Sequence, residues 1–176
     1  MSKTNALKAA VLIVILGTAA YFALRQIAPR PVAIGDQAPD FSVPALPTGS
    51  LDLKNYRGQI VVLNFWATWC PPCVEETPSL ERFAEKMHDR GVTVLSISVD
   101  ENQKALEDFI LEYHISFPVG RDPSRSLPAR YGTFLFPETY ILDRRGRVAD
   151  KIANSADWDD ARLENFVLTL AKGSNP

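Results

Sequence analysis

The stretch Ile60-Val61-Val62-Leu63-Asn64-Phe65-Trp66 runs straight into Ala67-Thr68-Trp69-Cys70-Pro71-Pro72-Cys73, which holds both cysteines of a 176-residue chain. A continuous apolar run of this kind reads as a strand buried on both faces. A strand that delivers a cysteine to the first turn of a helix aims unpaired backbone N–H groups and the positive end of the helix dipole at its sulfur, which favours thiolate over thiol. Lowering a thiol pKa from ~8.5 to ~7 lifts the thiolate fraction at neutral pH from roughly 3% to roughly half, about 2 kcal/mol of readiness to react. The pair reads as a redox dithiol.

Three plainer uses of two cysteines fit less well. Structural zinc takes four ligands, and only His88 and His114 remain to complete the set, without the short spacing of a finger. Covalent haem needs a histidine directly after the second cysteine, where Val74 stands. A disulfide spanning two residues removes little chain entropy, so stabilisation is a poor reason for it. No metal and no separate cofactor is expected, the redox group being the Cys70–Cys73 pair itself.

From Ala9 to Leu24 the chain carries no charge, with Lys3 and Lys8 before and Arg25 and Arg30 after. At ~1.5 Å per residue a helix of that length spans about 24 Å, short of a ~30 Å hydrocarbon core unless Lys8 and Arg25 snorkel outward. Residues 1–30 therefore read as one N-terminal membrane segment with its linker. It is either a retained single-pass anchor or a cleaved signal peptide, with Thr18-Ala19-Ala20 as a weak small-residue site. No third cysteine is present to carry a lipid. Either way a short basic N-terminus stays cytoplasmic, which puts the remainder on the periplasmic or extracellular side.

Residues 31–176 have the length of one domain, entered through a short linker from Arg30-Pro31 to Ala33. The formal charge of −2, from 19 basic and 21 acidic side chains with no basic stripe, argues against nucleic acid as a partner. Apolar runs alternate with helical stripes, the pattern of an α/β domain. Ile60 to Trp66 and Val92 to Val99 read as buried strands, and Ala105, Leu106, Phe109, Ile110 and Tyr113 as one helical face. Thr139 to Leu142 and Arg147 to Ile152 flank the turn Asp143-Arg144-Arg145-Gly146, a hairpin. Leu163, Phe166, Val167 and Leu170 mark a C-terminal amphipathic helix, with Trp158 packing at its start. Phe41 to Leu53, around Thr48-Gly49-Ser50, reads as an additional hairpin.

Gly35-Asp36-Gln37-Ala38-Pro39-Asp40-Phe41, Asn64 to Cys73, Glu76-Thr77-Pro78 and Pro137-Glu138-Thr139-Tyr140 together resemble the thioredoxin-like thiol-disulfide reductases of the TlpA, ResA and DsbE group, over roughly residues 33 to 172. The resemblance implies a thioredoxin-like fold with a central mixed sheet flanked by helices and an added N-terminal hairpin. It implies a reductase of protein disulfides, anchored in the cytoplasmic membrane and facing outward, with substrates such as apocytochrome c. A membrane electron donor of the DsbD/CcdA type would supply it. It also implies that Pro137 is a cis-proline facing the dithiol, presenting the backbone of Phe136 to an extended substrate; only an X-Pro bond makes cis accessible, at roughly 0.5 to 1 kcal/mol. Relatives commonly carry glycine where Leu135 stands, so Phe134-Leu135-Phe136 is either a docking patch or core filling.

Roles follow for several residues from position alone. Cys70 is the attacking thiolate, and Cys73, one turn inward, resolves the mixed disulfide. Pro71 and Pro72 remove two N–H donors and stiffen the turn. Glu76 shares an i, i+4, i+7, i+11 stripe with Leu80, Phe83 and Met87, the apolar face, whereas Glu75 aligns with Ser79, Arg82 and Lys86 on the polar one. Burial raises a carboxylate pKa, which suits Glu76 to exchanging a proton with Cys73; the plainer alternative is an acid favoured by the helix dipole. Thioredoxin, by resemblance, has a buried Asp where Asn64 stands, so Glu76 supplies that acid here. Pro78 is expected to kink the helix. Trp69 is a candidate substrate contact, with Trp66 equally explained by packing, and His88 and His114 read as surface or helix-end residues. An oxidase or isomerase on the same fold is the main alternative. Peroxiredoxins resemble Ala38-Pro39-Asp40-Phe41 but place Thr three residues before their Cys, whereas Thr68 is two before Cys70. A binding module without turnover is the remaining class, against which the intact pair argues.

Overall fold

The apolar run 60–66 is the spine of a seven-stranded mixed sheet in a computed structural model that describes residues 8, 11–19, 21 and 30–173. In chain order the elements are β1 (Ser42–Leu46), β2 (Ser50–Asp52), β3 (Ile60–Trp66), α1 (Pro71–Met87), β4 (Val92–Ser98), α2 (Gln103–Glu112), β5 (Val119–Arg121), α3 (Ser126–Tyr131), β6 (Glu138–Leu142), β7 (Val148–Ala153) and α4 (Ala161–Ala171). The strand order is β2-β1-β5-β4-β3-β6-β7. β3, β4 and β5 run parallel, while β1, β2, β6 and β7 pair antiparallel to their neighbours. This is the α/β thioredoxin-like architecture with the expected hairpin, β1–β2, added at one edge.

Every residue of β3 is buried, because its alternating side chains feed two cores. Ile60, Val62 and Trp66 join Leu80 and Phe83 of α1, Leu106 of α2 and Val167 of α4 on one face. Val61, Leu63 and Phe65 join Phe41, Leu53, Leu127, Tyr131 and Tyr140 on the other. Between β1 and β4, Gly120 has no room for a side chain: a Cβ there would lie 2.7 Å from Val43 and 2.9 Å from Ile97. Register sets Trp66 beside Ser98 and Ser98 beside Arg121, so the loops leaving β3, β4 and β5 gather at one edge of the sheet. Open parallel sheets place their sites there, outside the carboxyl ends of the strands.

Three local expectations are corrected. Residues 31–33 are not a free linker: Val32 is buried and donates its N–H to Tyr131 O at 2.9 Å, and Pro31 lies against Gly132. Ser79 is buried rather than solvated, because the loop before α4 covers it and Trp158 N donates to its hydroxyl at 3.4 Å. Ala105 is exposed, the buried stripe of α2 being Leu106 and Phe109.

By contact the chain divides into Met1–Arg30 and Pro31–Pro176. In the first unit residues 11–19 are helical and Val11 to Leu16 are exposed. The rest of the uncharged run, residues 9–10, 20 and 22–24, lies outside the described residues. Among the described residues no helix is long and apolar enough to cross a membrane.

Candidate active site

β3 ends at Trp66, a turn follows, and Cys70 stands as the residue capping α1, with extended backbone (φ −96°, ψ 105°). Its carbonyl accepts from Cys73 N at 3.0 Å and Val74 N at 3.1 Å, and Pro71 and Pro72 fill the first helical positions. Proline is tolerated there because first-turn N–H groups have no intrahelical partner. Cys70 and Cys73 form a disulfide with Cα atoms 5.3 Å apart. Cys70 is 6% exposed and Cys73 1%, so an approaching sulfur meets Cys70 first.

The turn before Cys70 is fixed by a carboxylate that the sequence did not single out. Asp100, just past β4 and 2% exposed, accepts from Thr68 N at 3.0 Å, from the Thr68 hydroxyl at 2.6 Å and from the Ser98 hydroxyl at 2.6 Å. These charge-assisted bonds anchor the turn to β4, the strand parallel to β3. An Asp at the end of an apolar run was visible in the sequence, but the pairing that brings it under Thr68 was not.

Glu76 lies on the buried face of α1, 4% exposed, while Glu75 is exposed. Its Oε1 accepts from Asn64 Nδ2 at 2.9 Å and its Oε2 from Ala156 N at 3.0 Å. Asn64 also donates to the Thr139 hydroxyl at 2.9 Å, which ties the acid to β3 and β6. Burial pushes the Glu76 carboxyl above the ordinary carboxylate range, offset in part by Ala156 and Asn64. The Trp158 indole N–H, which lies outside hydrogen-bond geometry, adds a weaker pull in the same direction as those two. Cys73 and Glu76 are three residues apart on one helix and therefore on neighbouring positions of its face. Glu76 also lines an open cleft of about 390 Å³, together with Glu75, Ser79, Arg82, Ser155 and Asp157.

Opposite the dithiol, the Phe136–Pro137 bond is cis and the Phe136 carbonyl oxygen lies 3.3 Å from Cys70 Sγ. Trp69 is 56% exposed, in edge contact with Phe136 at 6.3 Å. Phe134 and Leu135 point into solvent, which removes core filling as their role, whereas Phe136 is partly buried against the core. Trp66 is buried against Phe109 at 5.1 Å and contributes packing. His88 and His114 are exposed, and Trp158 is fully buried against Phe83 at 5.1 Å.

Comparison with known proteins agrees with this geometry. The AhpC/TSA family model matches residues 34–151. The chain is 32% identical to the thiol-disulfide oxidoreductase ResA of Bacillus cereus, over 97% of this chain and 99% of that protein. It is 37% identical to the thioredoxin-like protein YneN of Bacillus subtilis, over 66% of this chain and 69% of that one. Among solved structures, a Chlorobium tepidum protein assigned as the thiol:disulfide interchange protein DsbE superposes with a TM-score of 0.74 at 29% identity, covering 80% of this chain and 99% of the other.

Proposed function

Since the chain belongs to the AhpC/TSA family and is a thiol-disulfide oxidoreductase of the ResA/DsbE kind, we propose that it works as a reductase of protein disulfides on the outer side of the cytoplasmic membrane. The Cys70 thiolate attacks a substrate disulfide, forming a mixed disulfide and releasing one substrate thiolate. Cys73 then gives its proton to Glu76 and attacks Cys70 Sγ, which releases the second thiolate and closes the Cys70–Cys73 bond. Two electrons pass to the substrate, and solvent protonates its thiolates. The observation that carries this reading is the arrangement itself: a Cys70–Cys73 disulfide whose outer sulfur faces the Phe136 carbonyl and whose buried partner, Cys73, lies one helical turn from the buried Glu76 carboxyl. Burial raises the pKa of that carboxyl, and a more basic carboxylate takes a thiol proton more readily. The cleft beside Glu76 gives that proton a way out.

The remaining assignments share this basis. Trp69, Phe136 and Pro137 receive the substrate, because they border the exposed side of Cys70. Apocytochrome c is the substrate class and a DsbD/CcdA-type membrane protein the electron donor, in line with the likeness to ResA and DsbE proteins. The uncharged run from Ala9 to Leu24, with its exposed apolar helical residues, anchors the chain. An intact N-terminus near Met1 in membranes washed with high salt supports the anchor, and one near Tyr21 replaces it by a cleaved signal peptide.

Reduction potential tests the direction. A value near that of thioredoxin, about −270 mV, with mixed disulfides accumulating on Cys70 in a Cys73→Ser variant, is the expected result. A value near about −120 mV overturns it in favour of a disulfide oxidase.

A further inference from the structure

Beside the dithiol stands a cation that the reaction above does not use. Arg125, in the turn before α3, has left-handed backbone angles (φ 57°, ψ 20°), which L side chains disfavour. Asp122 imposes that turn: its carboxylate accepts from Leu127 N at 2.7 Å and from the hydroxyls of Ser124 and Ser126, and its carbonyl accepts from Arg125 N at 3.0 Å. The result is that the Arg125 guanidinium sits 5.5 Å over the ring of Trp69, and no carboxylate among the described residues pairs with it. Strained conformations held in place by their surroundings cluster at functional sites.

The same rim carries an apolar projection. Phe134 is 76% exposed and Leu135 81%. The base of their loop is clamped, because buried Thr133 bonds to the carboxylate of Glu138 and to the hydroxyl of Tyr140. Two adjacent large apolar side chains held out in water beside a reactive sulfur mark a contact surface.

We propose that Arg125 on Trp69, with Phe134 and Leu135, recognises a protein segment that carries an acidic side chain next to its disulfide cysteine and an apolar side chain beyond it. This rests on the reductase reading. Cys70 is 6% exposed, and Trp69 and Phe136 border it, so a disulfide arriving at Cys70 is brought against this rim. A guanidinium stacked on an indole keeps its N–H edge free for a carboxylate, with which it forms paired hydrogen bonds. A lysine at the same substrate position meets like charge instead.

The test uses wild-type protein and three peptides, each with one internal disulfide, differing only in Glu, Gln or Lys beside the attacked cysteine. At low salt kcat/KM should fall from Glu to Gln to Lys by about threefold per step, the scale of a solvent-exposed ion pair, and the order should flatten as salt is raised. Arg125→Gly removes the guanidinium while suiting the left-handed backbone, so it should fold and lose the order among the peptides. Arg125→Lys, which keeps a cation, should retain part of it. Equal kcat/KM for the Glu and Lys peptides in the wild type, or an order that survives Arg125→Gly, overturns the proposal. Hydroxyethyl disulfide, small and neutral, separates the two readings: if the wild type reduces it but ranks the peptides equally, only the recognition surface falls. If the wild type reduces neither, the reductase reading falls with it.

Discussion

Replacing Glu76 by Gln tests the buried acid most directly, and the structure sets what to expect. Both carboxylate oxygens accept N–H donors, Asn64 Nδ2 and Ala156 N, so an amide oxygen can satisfy only one of them. The backbone N–H of Ala156 cannot turn away, but the Asn64 amide can flip, presenting its oxygen to the new NH2 group while the Thr139 hydroxyl donates to that same oxygen. The fold should therefore survive at a cost of about 1 kcal/mol, one rearranged buried hydrogen bond. Protonation brings a second effect. Because burial raises the native pKa of Glu76, the unfolded chain loses this proton first, and native protein binds more protons between the ordinary value of 4.5 and the raised one. Stability of the oxidised protein must fall as pH rises through that window and level off above it, by about 1.4 kcal/mol for every tenfold by which the folded protein holds this proton more tightly than the unfolded chain. Urea titrations across pH should show the fall in wild type and its absence in Glu76→Gln. The rate of the resolving step, followed by Trp69 fluorescence in single turnover, should drop about 100-fold or more, the usual worth of a positioned proton acceptor. Glu75→Gln, on the exposed face, should stay within about twofold. Equal changes in the rate–pH profiles of the two variants would refute the proton-transfer role and leave only a local charge effect at the helix start.

Two further outcomes are expected. In reduced protein at pH 7, iodoacetamide should alkylate Cys70 well before Cys73, as their exposures require, and faster labelling of Cys73 would exchange the two roles. Asp100→Ala strands the Thr68 N–H and the Thr68 and Ser98 hydroxyls, so the urea midpoint should drop by the equivalent of about 3 kcal/mol at unchanged slope, and a loss under about 0.5 kcal/mol would show that the carboxylate does not hold the turn.

Sequence by itself determined whatever depends on neighbours along the chain. The run Ile60–Trp66 is a buried strand because it is apolar on both alternating faces, and the two cysteines three apart meet across the first turn of α1 because a helix brings them there. Glu76 is buried and Glu75 exposed because a period of 3.6 separates adjacent positions by about 100°. Short or broken elements were not legible: β5 has three residues and a central glycine, and α3 has six, includes Pro128 and starts beside an arginine with left-handed backbone. Only the tertiary structure decided which distant residues serve the dithiol. Pairing of β3, β4 and β5 in parallel register carried Asp100 under Thr68, and the same gathering of loops set Arg125 over Trp69; the loop before α4 supplied Ala156 to Glu76 and covered Ser79. Each of these contacts joins residues more than thirty positions apart, where no local periodicity reaches, and strand register is what sums many weak preferences into one geometry.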